Sequence, residues 1–202
     1  FDLHAVAAAL TDYRVVLRPD RDVAEWWAGA PSAVLTPNDT VILAARMREG
    51  DSPRGFRGYE IRFLESEDGI RFEEIGSIRR EELGVTGVER PALVRDPESG
   101  RYRLYCCSGT HDGWFIFKLD DAEHPTHFDP GTRKTVVAGT GLGGTENPAV
   151  GYKDPVVFRD DGTWHMFAIA GYDVEKIEHF TSPDGEDWKP ADQHAVLNNS
   201  GW

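Results

Sequence analysis

The sequence is poor in lysine and cysteine, and it contains no long hydrophobic run. Only five of its 202 residues are lysine, so arginine supplies most of the 22 basic side chains. Acidic residues number 35, which leaves a net charge of −13. Nucleic-acid binding needs a basic surface, so this balance argues against a nucleic-acid partner. No apolar stretch approaches the ~18 residues that cross a bilayer, so no membrane partner is expected either.

The excess of acidic residues has two interpretations. It is either ordinary solubilising surface charge or an adaptation to high salt, where counter-ions screen the repulsion between carboxylates. We favour the halophilic interpretation, which unfolding on dialysis into low salt would support. The chain begins without a methionine and without a signal-like segment. We therefore expect that the numbering starts inside a longer or trimmed chain, and both a cytoplasmic and a secreted location stay open.

The only two cysteines, Cys106 and Cys107, are adjacent in a predicted strand. Neighbouring residues of a strand point to opposite faces, so these two are poorly placed to form a disulfide with each other. A metal site needs more ligands than this pair supplies. We predict two small buried apolar residues, and we expect neither a metal nor a cofactor.

A pattern of about 60 residues occurs three times. Each copy places a proline after a charged or small residue, continues as a short apolar strand, and turns into a second strand. The prolines are Pro31, Pro91 and Pro155, which lie 60 and 64 residues apart. A Ser-x-Asp-Gly-x-x-aromatic turn also occurs twice, at 66–72 and 182–188. Two matching positions in the repeat argue against coincidence.

Four antiparallel strands in each repeat of this length fit the blade of a β-propeller. The sequence therefore predicts an all-β chain, a single domain over 1–202, with blades at about 30–80, 89–138 and 153–190. A further short strand is predicted over 13–18, ahead of the first blade. Three blades cannot close a ring, since each buries its faces only against its neighbours. We expect a partial propeller, completed by further chain or by another copy.

The innermost strand of each blade lines the central channel, and its N-terminal end lies at one mouth, where ligands bind. The repeats place Ala30, Glu89 with Arg90, and Lys153 with Asp154 at this position. Buried charges there are costly without partners. One interpretation is a structural ion pair, for instance Asp154 with Arg90 or Lys153. The other, which we favour, is a pair of carboxylates flanking a glycosidic bond, Asp154 and Glu89.

Other side chains are candidates for sugar binding near this mouth. Arg46 and Arg90 could bind hydroxyls or a carboxylate through two hydrogen bonds, although ion pairs with the many acids would also explain them. Trp26 and Trp27 are neighbours; one is expected in the core and the other is a candidate for stacking on a sugar ring. His111 could reach the mouth, but we favour a surface position in its loop. Lys153 completes the predicted substrate-binding set.

These motifs resemble a known superfamily. Lys153-Asp154-Pro155 is similar to the Arg-Asp-Pro motif of glycoside hydrolase family 32, and Glu89-Arg90-Pro91, followed by Tyr102 and Tyr105, looks like a segment of family 130. The chain thus resembles the five-bladed β-propeller glycoside hydrolases, which include families 32, 43 and 130. The resemblance implies that Asp154 stabilises an oxocarbenium-like transition state or tunes the pKa of the acid.

The sequence also departs from the pattern of these families. Arg90 stands where family 130 has its catalytic aspartate, and Ala30 stands where families 32 and 43 have an aspartate. Only Asp154 matches directly, and Glu89 is a substitute candidate for the general acid. We predict a glycosidase acting on an oligosaccharide or glycoside. The alternatives are a non-catalytic carbohydrate-binding or scaffold propeller and, third, a phosphate-dependent glycoside phosphorylase.

Overall fold

The chain forms three antiparallel sheets in a computed structural model, which describes residues 11, 13–50, 58–110, 113–138, 151–171, 176–191 and 197–198. Sheet 1 contains β1 (Trp27–Leu35), β2 (Val41–Arg48), β3 (Gly58–Ser66) and β4 (Glu73–Arg79). Sheet 2 contains β5 (Glu89–Arg95), β6 (Tyr102–Thr110), β7 (Gly113–Lys118) and β8 (Lys134–Ala138). Sheet 3 contains β9 (Tyr152–Asp160), β10 (Thr163–Ala170), β11 (Lys176–Ser182) and β12 (Lys189–Pro190), with β13 (Leu197–Asn198) also paired to β11.

The hairpin of β9 and β10 illustrates why the sequence forms these strands. Buried and half-buried residues alternate along β10, as in a strand with one face in the core. Asp161 and Gly162, which connect the two strands, have φ angles of 43° and 78°. Positive φ at both central residues is the geometry of the tight hairpin turn, and Asp-Gly is a favoured pair for it.

The sheets pack face to face around their innermost strands, and this arrangement is a partial β-propeller of the five-bladed type with three blades. Strand β5 lies between β1 and β9 and contacts both. The Ser32 hydroxyl on β1 donates to the Leu93 carbonyl on β5 at 3.1 Å and accepts from the Leu93 N–H at 3.0 Å. One hydrophobic core fills the space between sheets 1 and 2, and a second fills the space between sheets 2 and 3. Among the described residues, no helix has the length and apolarity needed to cross a membrane.

Each innermost strand contains a bulge beside its proline. The register shifts between Gly29 and Ser32 on β1, between Glu89 and Ala92 on β5, and near Asp154 on β9. Proline has no N–H to give to the ladder, so a bulge is the position where a strand tolerates it. The register shift leaves the residue before the proline without a regular cross-strand partner.

The structure confirms most of the predicted strands and corrects one. Residues 13–18 are irregular rather than a strand, because they lie outside all three sheets and Tyr13 is 76% exposed. Strand β1 also begins earlier than predicted, at Trp27, since Trp27 pairs with Arg48. The two cysteines are buried as expected, with Cys106 in the core between sheets 1 and 2 and Cys107 in the core between sheets 2 and 3.

Candidate functional site

The N-terminal ends of the three innermost strands bring most of the predicted site residues to the same end of their sheets. The cross-strand pairs Gly29 with Arg46, Glu89 with Cys107 and Lys153 with Ile169 occupy the same place in successive sheets. We call the charged and aromatic side chains at this end the mouth cluster. Its members are Trp27, Arg46, Arg48, Glu89, Arg90, Lys153 and Asp154.

An ion pair between Arg46 and Glu89 joins sheets 1 and 2 at the mouth. Arg46 is the cross-strand partner of Gly29 on β1, and its guanidinium contacts the Glu89 carboxylate of β5. Each side chain is only 11% exposed. Contact with a guanidinium favours the ionised form of a carboxylate. The contact ties the Glu89 carboxylate of sheet 2 to the Arg46 side chain of sheet 1.

Gly58 allows the two sheets to approach closely behind this ion pair. Its carbonyl accepts a hydrogen bond of 2.9 Å from the N–H of Val88, the residue before Glu89. A Cβ at Gly58 would overlap the Val88 carbonyl and lie 3.2 Å from the Arg46 Cδ. Glycine at this position thus sets the distance between sheet 1 and the start of β5.

Trp27 supports the arginine side chains of the cluster. The Arg46 guanidinium carbon lies 4.4 Å from the centroid of the Trp27 ring, and that of Arg48 lies 5.4 Å away. Both distances are within the range of cation–π attraction. A Cβ at Gly29 would collide with the Trp27 ring, so glycine makes room for the indole. Of the two tryptophans, Trp27 is the one that belongs to the mouth cluster.

Arg46 is the electrostatic centre of the cluster. Burial lowers the pKa of Arg46 to about 10, and the charges of Arg48 and Arg90 add to this effect. Attraction to Asp154 opposes it. A pKa near 10 leaves Arg46 positively charged at neutral pH, so it attracts both carboxylates of the cluster, Glu89 by contact and Asp154 through space.

Asp154 is held in an unusual backbone conformation. Its φ of 53° is left-handed, which costs a non-glycine residue on the order of 1–2 kcal/mol. Ala30, the equivalent residue in sheet 1, has a φ of 50°, so the bulge rather than the aspartate sets this geometry. The Asp154 N–H donates to the Cys107 sulfur at 3.2 Å, which satisfies a donor that the bulge removes from the ladder.

Cys107 is the site residue that the sequence analysis missed. Burial, together with the nearby Asp154 charge, raises the pKa of the Cys107 thiol above its ordinary value, so it stays protonated at neutral pH. The signal that could have identified it is its place in the repeat. Cys107 and Arg46 occupy equivalent positions, and each contacts the innermost strand of the following sheet.

The remaining predicted residues have different surroundings. Trp26 packs on Tyr59, with ring centroids 5.7 Å apart, and lies under Arg21. Lys153 is half-buried directly before Asp154 on β9. His111 lies outside the described residues. Between sheets 1 and 2 the mouth holds an ion pair of Arg46 with Glu89, which neither interpretation of the pre-proline charges included.

Comparison with solved structures identifies the fold. A family-43 glycoside hydrolase from a capybara gut metagenome matches with a TM-score of 0.68 and 16% identity, over 93% of this chain and 34% of that protein. A glycosyl hydrolase from Bacteroides ovatus matches with a TM-score of 0.62 and 14% identity, over 89% of this chain and 56% of that protein.

A third match is a family-130 protein from work on hydrolases of β-1,2-mannosidic linkages in Candida mannan. It gives a TM-score of 0.63 and 16% identity, over 89% of this chain and 56% of that protein. No protein-family model and no curated protein match the sequence. The chain thus has the fold of the propeller glycosidases, and it spans little more than half the length of the first structures it matches.

Proposed function

We propose that the protein is a glycoside hydrolase whose carboxylates at the mouth are Asp154 and Glu89. The observation that carries the proposal is that Arg46 links them, by contact with Glu89 and by electrostatic attraction to Asp154. Two carboxylates from adjacent innermost strands, together with guanidinium donors, are the groups that glycosidic bond cleavage requires. The likeness to propeller glycosidases of known structure supports the same class of substrate.

The roles of the two carboxylates follow from their surroundings. Glu89 contacts a guanidinium and is favoured as an anion, which suits stabilisation of the positive charge that develops on the sugar ring. Asp154 is half-buried beside the channel, and its left-handed backbone turns it out of the ladder. We assign to Asp154 the role of the acid or base beside the glycosidic bond that breaks. Arg90 and Trp27 are assigned to binding of the sugar.

Replacing Asp154 tests the proposal. Asp154→Asn keeps the size of the side chain, and asparagine accepts a left-handed backbone, so the fold is expected to persist. Hydrolysis of aryl glycosides or oligosaccharides should fall at least ~100-fold, the contribution of a positioned acid or base. Asp160→Asn, at the exposed end of the same strand, is the matched control and should leave turnover unchanged. Full activity in Asp154→Asn would contradict the proposal.

A non-catalytic carbohydrate-binding propeller is the second candidate. Ala30 occupies in sheet 1 the place that Asp154 occupies in sheet 3, and Glu89 is committed to Arg46. This candidate requires that glycans bind without turnover. Product formation in a long incubation, lost in Asp154→Asn, would rule it out.

We also infer that further polypeptide covers the outer face of sheet 3. Val156 is 47% exposed and Phe158 is 39% exposed on this face. Aromatic rings stack beside them: the ring centroids of Phe158 and His165 are 5.1 Å apart, and those of Phe167 and His179 are 4.6 Å apart. A second copy of the chain can supply this polypeptide, in which case the chain self-associates and Phe158→Ser makes it monomeric. Sedimentation measures the oligomeric state, and a chain that is monomeric with Phe158 in place would contradict a second copy as the cover.

A further inference from the structure

The mouth cluster is basic in a protein that is strongly acidic. It contains four basic side chains, Arg46, Arg48, Arg90 and Lys153, and two acidic ones, Glu89 and Asp154. The whole chain has 35 acidic and 22 basic residues. A local excess of positive charge on such a background focuses the electrostatic field on anions that approach the mouth.

The arginines of the cluster repel one another. Arg46 and Arg48 lie over the same Trp27 ring, at 4.4 and 5.4 Å from its centroid. The charges of Arg48 and Arg90 each help to lower the pKa of Arg46. Glu89 neutralises only one of the three guanidinium groups by contact. A bound anion would relieve the repulsion that remains.

Two of these arginines keep hydrogen-bonding capacity for a ligand. Within the described part of the chain, neither Arg48 nor Arg90 forms an ion pair with an acidic side chain, and Arg90 is half-buried at the start of β5. Among the described residues, the buried Arg48 Nε finds no hydrogen-bond partner. A buried donor without a partner is costly, and a guanidinium is shaped to receive two oxygens of a carboxylate.

We propose that the glycan bound at this mouth carries a carboxylate, that is, that the site takes a hexuronic acid unit and binds its carboxylate through Arg90 and Arg48. The inference rests on the proposed function insofar as the ligand is a sugar. It adds the substrate class, because a neutral sugar would leave the arginine repulsion unrelieved, whereas a uronate neutralises it.

Binding of matched acids and esters to the full 202-residue chain tests the proposal. Di- and trisaccharides of galacturonic, glucuronic and mannuronic acid are compared by titration calorimetry with their methyl esters, which keep the rings and remove the charge. At least one acid should bind tenfold or more tightly than its ester. Its affinity should fall as sodium chloride rises, because salt screens the attraction.

Substitutions assign the preference to the arginines. Arg90→Gln and Arg48→Gln should each reduce the ratio of acid affinity to ester affinity at least about fivefold, because each removes a charge that only the acid can pair with. Arg71→Gln removes a charge from an arginine whose side chain is 87% exposed, in the turn after β3, and should leave the ratio unchanged. Thermal unfolding of each variant establishes that the fold is intact.

The outcomes separate this inference from the proposed function. Acids and esters that bind equally, or inorganic phosphate that binds while no acid is preferred over its ester, would overturn the inference. A preferred uronide that is bound but never cleaved would support the inference and contradict the proposed hydrolase. Cleavage of neutral glycans only, abolished by Asp154→Asn, would support the proposed hydrolase and contradict the inference of a uronate ligand.

Discussion

The two seams between neighbouring sheets have the same strand register and opposite chemistry. Ala44 in sheet 1 and Tyr105 in sheet 2 are equivalent, since each pairs with the residue that follows the proline of its sheet. Two positions before them are Ile42 and Arg103. The cross-strand partner of Ala44 on β3 is Phe63, and that of Tyr105 on β7 is Lys118. The face that sheet 1 presents is apolar, and the face that sheet 2 presents carries hydrogen-bond donors.

The loop that docks in each seam matches the face that receives it. In the seam between sheets 1 and 2, Phe128 from the loop after β7 packs on Phe63, with ring centroids 6.1 Å apart. In the seam between sheets 2 and 3, the turn at 182–185 supplies acceptors. The Tyr105 hydroxyl donates to the Gly185 carbonyl at 2.7 Å, and Arg103 donates to the Asp184 carbonyl. The chemistry of the seam therefore specifies which loop can occupy it.

The Ser-x-Asp-Gly turn occurs in two versions: the turn at 182–188 packs against sheet 2 and is called docked, and the turn at 66–72 is exposed around Gly69 and is called open. Gly69 N–H donates to Ser66 Oγ at 2.9 Å, and Gly185 N–H donates to Ser182 Oγ at 2.9 Å. Nothing lies within 4 Å of a Cβ placed on Gly69, whereas a Cβ on Gly185 would overlap Arg103 and lie 2.8 Å from the Tyr105 hydroxyl. The local sequence builds the turn, and the neighbouring sheet decides whether it is buried.

The largest effect is expected from breaking the apolar seam. Phe63→Ala removes a ring that is 1% exposed, and the free energy of unfolding should fall by about 3–5 kcal/mol, because the cavity adds to the lost burial. Denaturant unfolding measures the change. Leu35→Ala, at a position that is 63% exposed, is the control and should cost less than about 0.5 kcal/mol. A loss below about 1 kcal/mol in Phe63→Ala would contradict the packing described.

The polar seam should respond to loss of Arg103. Its guanidinium lies 3.1 Å from Asp121 and 3.6 Å from Asp96, so Arg103→Gln leaves two carboxylates with fewer partners. We expect a loss of roughly 2–4 kcal/mol, near the cost of breaking a buried ion pair. Urea unfolding monitored by tryptophan fluorescence measures the loss, and the signal includes Trp164, whose ring centroid lies 4.3 Å from the Arg103 guanidinium carbon. An unchanged midpoint would mean that the ion pairs contribute nothing to stability.

Alanine at the two turn glycines compares the docked and open versions directly. Both glycines have a positive φ, 68° at Gly69 and 78° at Gly185, so each substitution costs about 1 kcal/mol of backbone strain. Gly185→Ala should cost about 1–2 kcal/mol more, because the methyl group also displaces Arg103 and Tyr105. Thermal unfolding of the two variants measures the difference. Equal losses would show that the seam tolerates the extra methyl group.

The smallest effect is a pH dependence at Asp184. Hydrogen bonds from the N–H groups of Asp187 and Glu186 lower the pKa of Asp184 to about 2, from an ordinary value of 3.8. A lowered pKa stabilises the folded protein above pH 4, and this contribution disappears as the pH falls through 2. Since Asp184 is exposed, the effect should stay below about 1 kcal/mol. The difference in free energy of unfolding between the wild type and Asp184→Asn should therefore become smaller as the pH falls from 4 to 2. A difference that stays constant over this range would contradict a lowered pKa at Asp184.

Much of the fold could be predicted because it depends on local patterns. Alternation of apolar and polar residues marks β10, and Asp161-Gly162 marks its hairpin, whatever the rest of the chain does. The same reasoning failed at 13–18, where β-forming residues such as Tyr13 and Val15 have no strand beside them. Strand propensity describes a fit to a half-buried sheet surface, and it has no effect where no sheet is present.

The candidate site was predictable only in part. The prolines of the repeat located Glu89 and Asp154 at the same end of adjacent strands, since strand order follows from the repeat. They did not indicate that Arg46 would reach across to Glu89 or that the Cys107 thiol would accept from the Asp154 N–H. Those contacts join different sheets, and residues 43 to 47 positions apart meet only when the sheets pack.

The sequence alone thus determined the all-β class, the three four-stranded units of this chain and most of their strands, because periodicity and proline act over a few residues. The tertiary structure decided which carboxylate is paired, which turn is docked and why the mouth is basic in an acidic protein. These properties depend on side chains from neighbouring sheets sharing one poorly solvated space, where a partner's charge outweighs the intrinsic preference of any single residue.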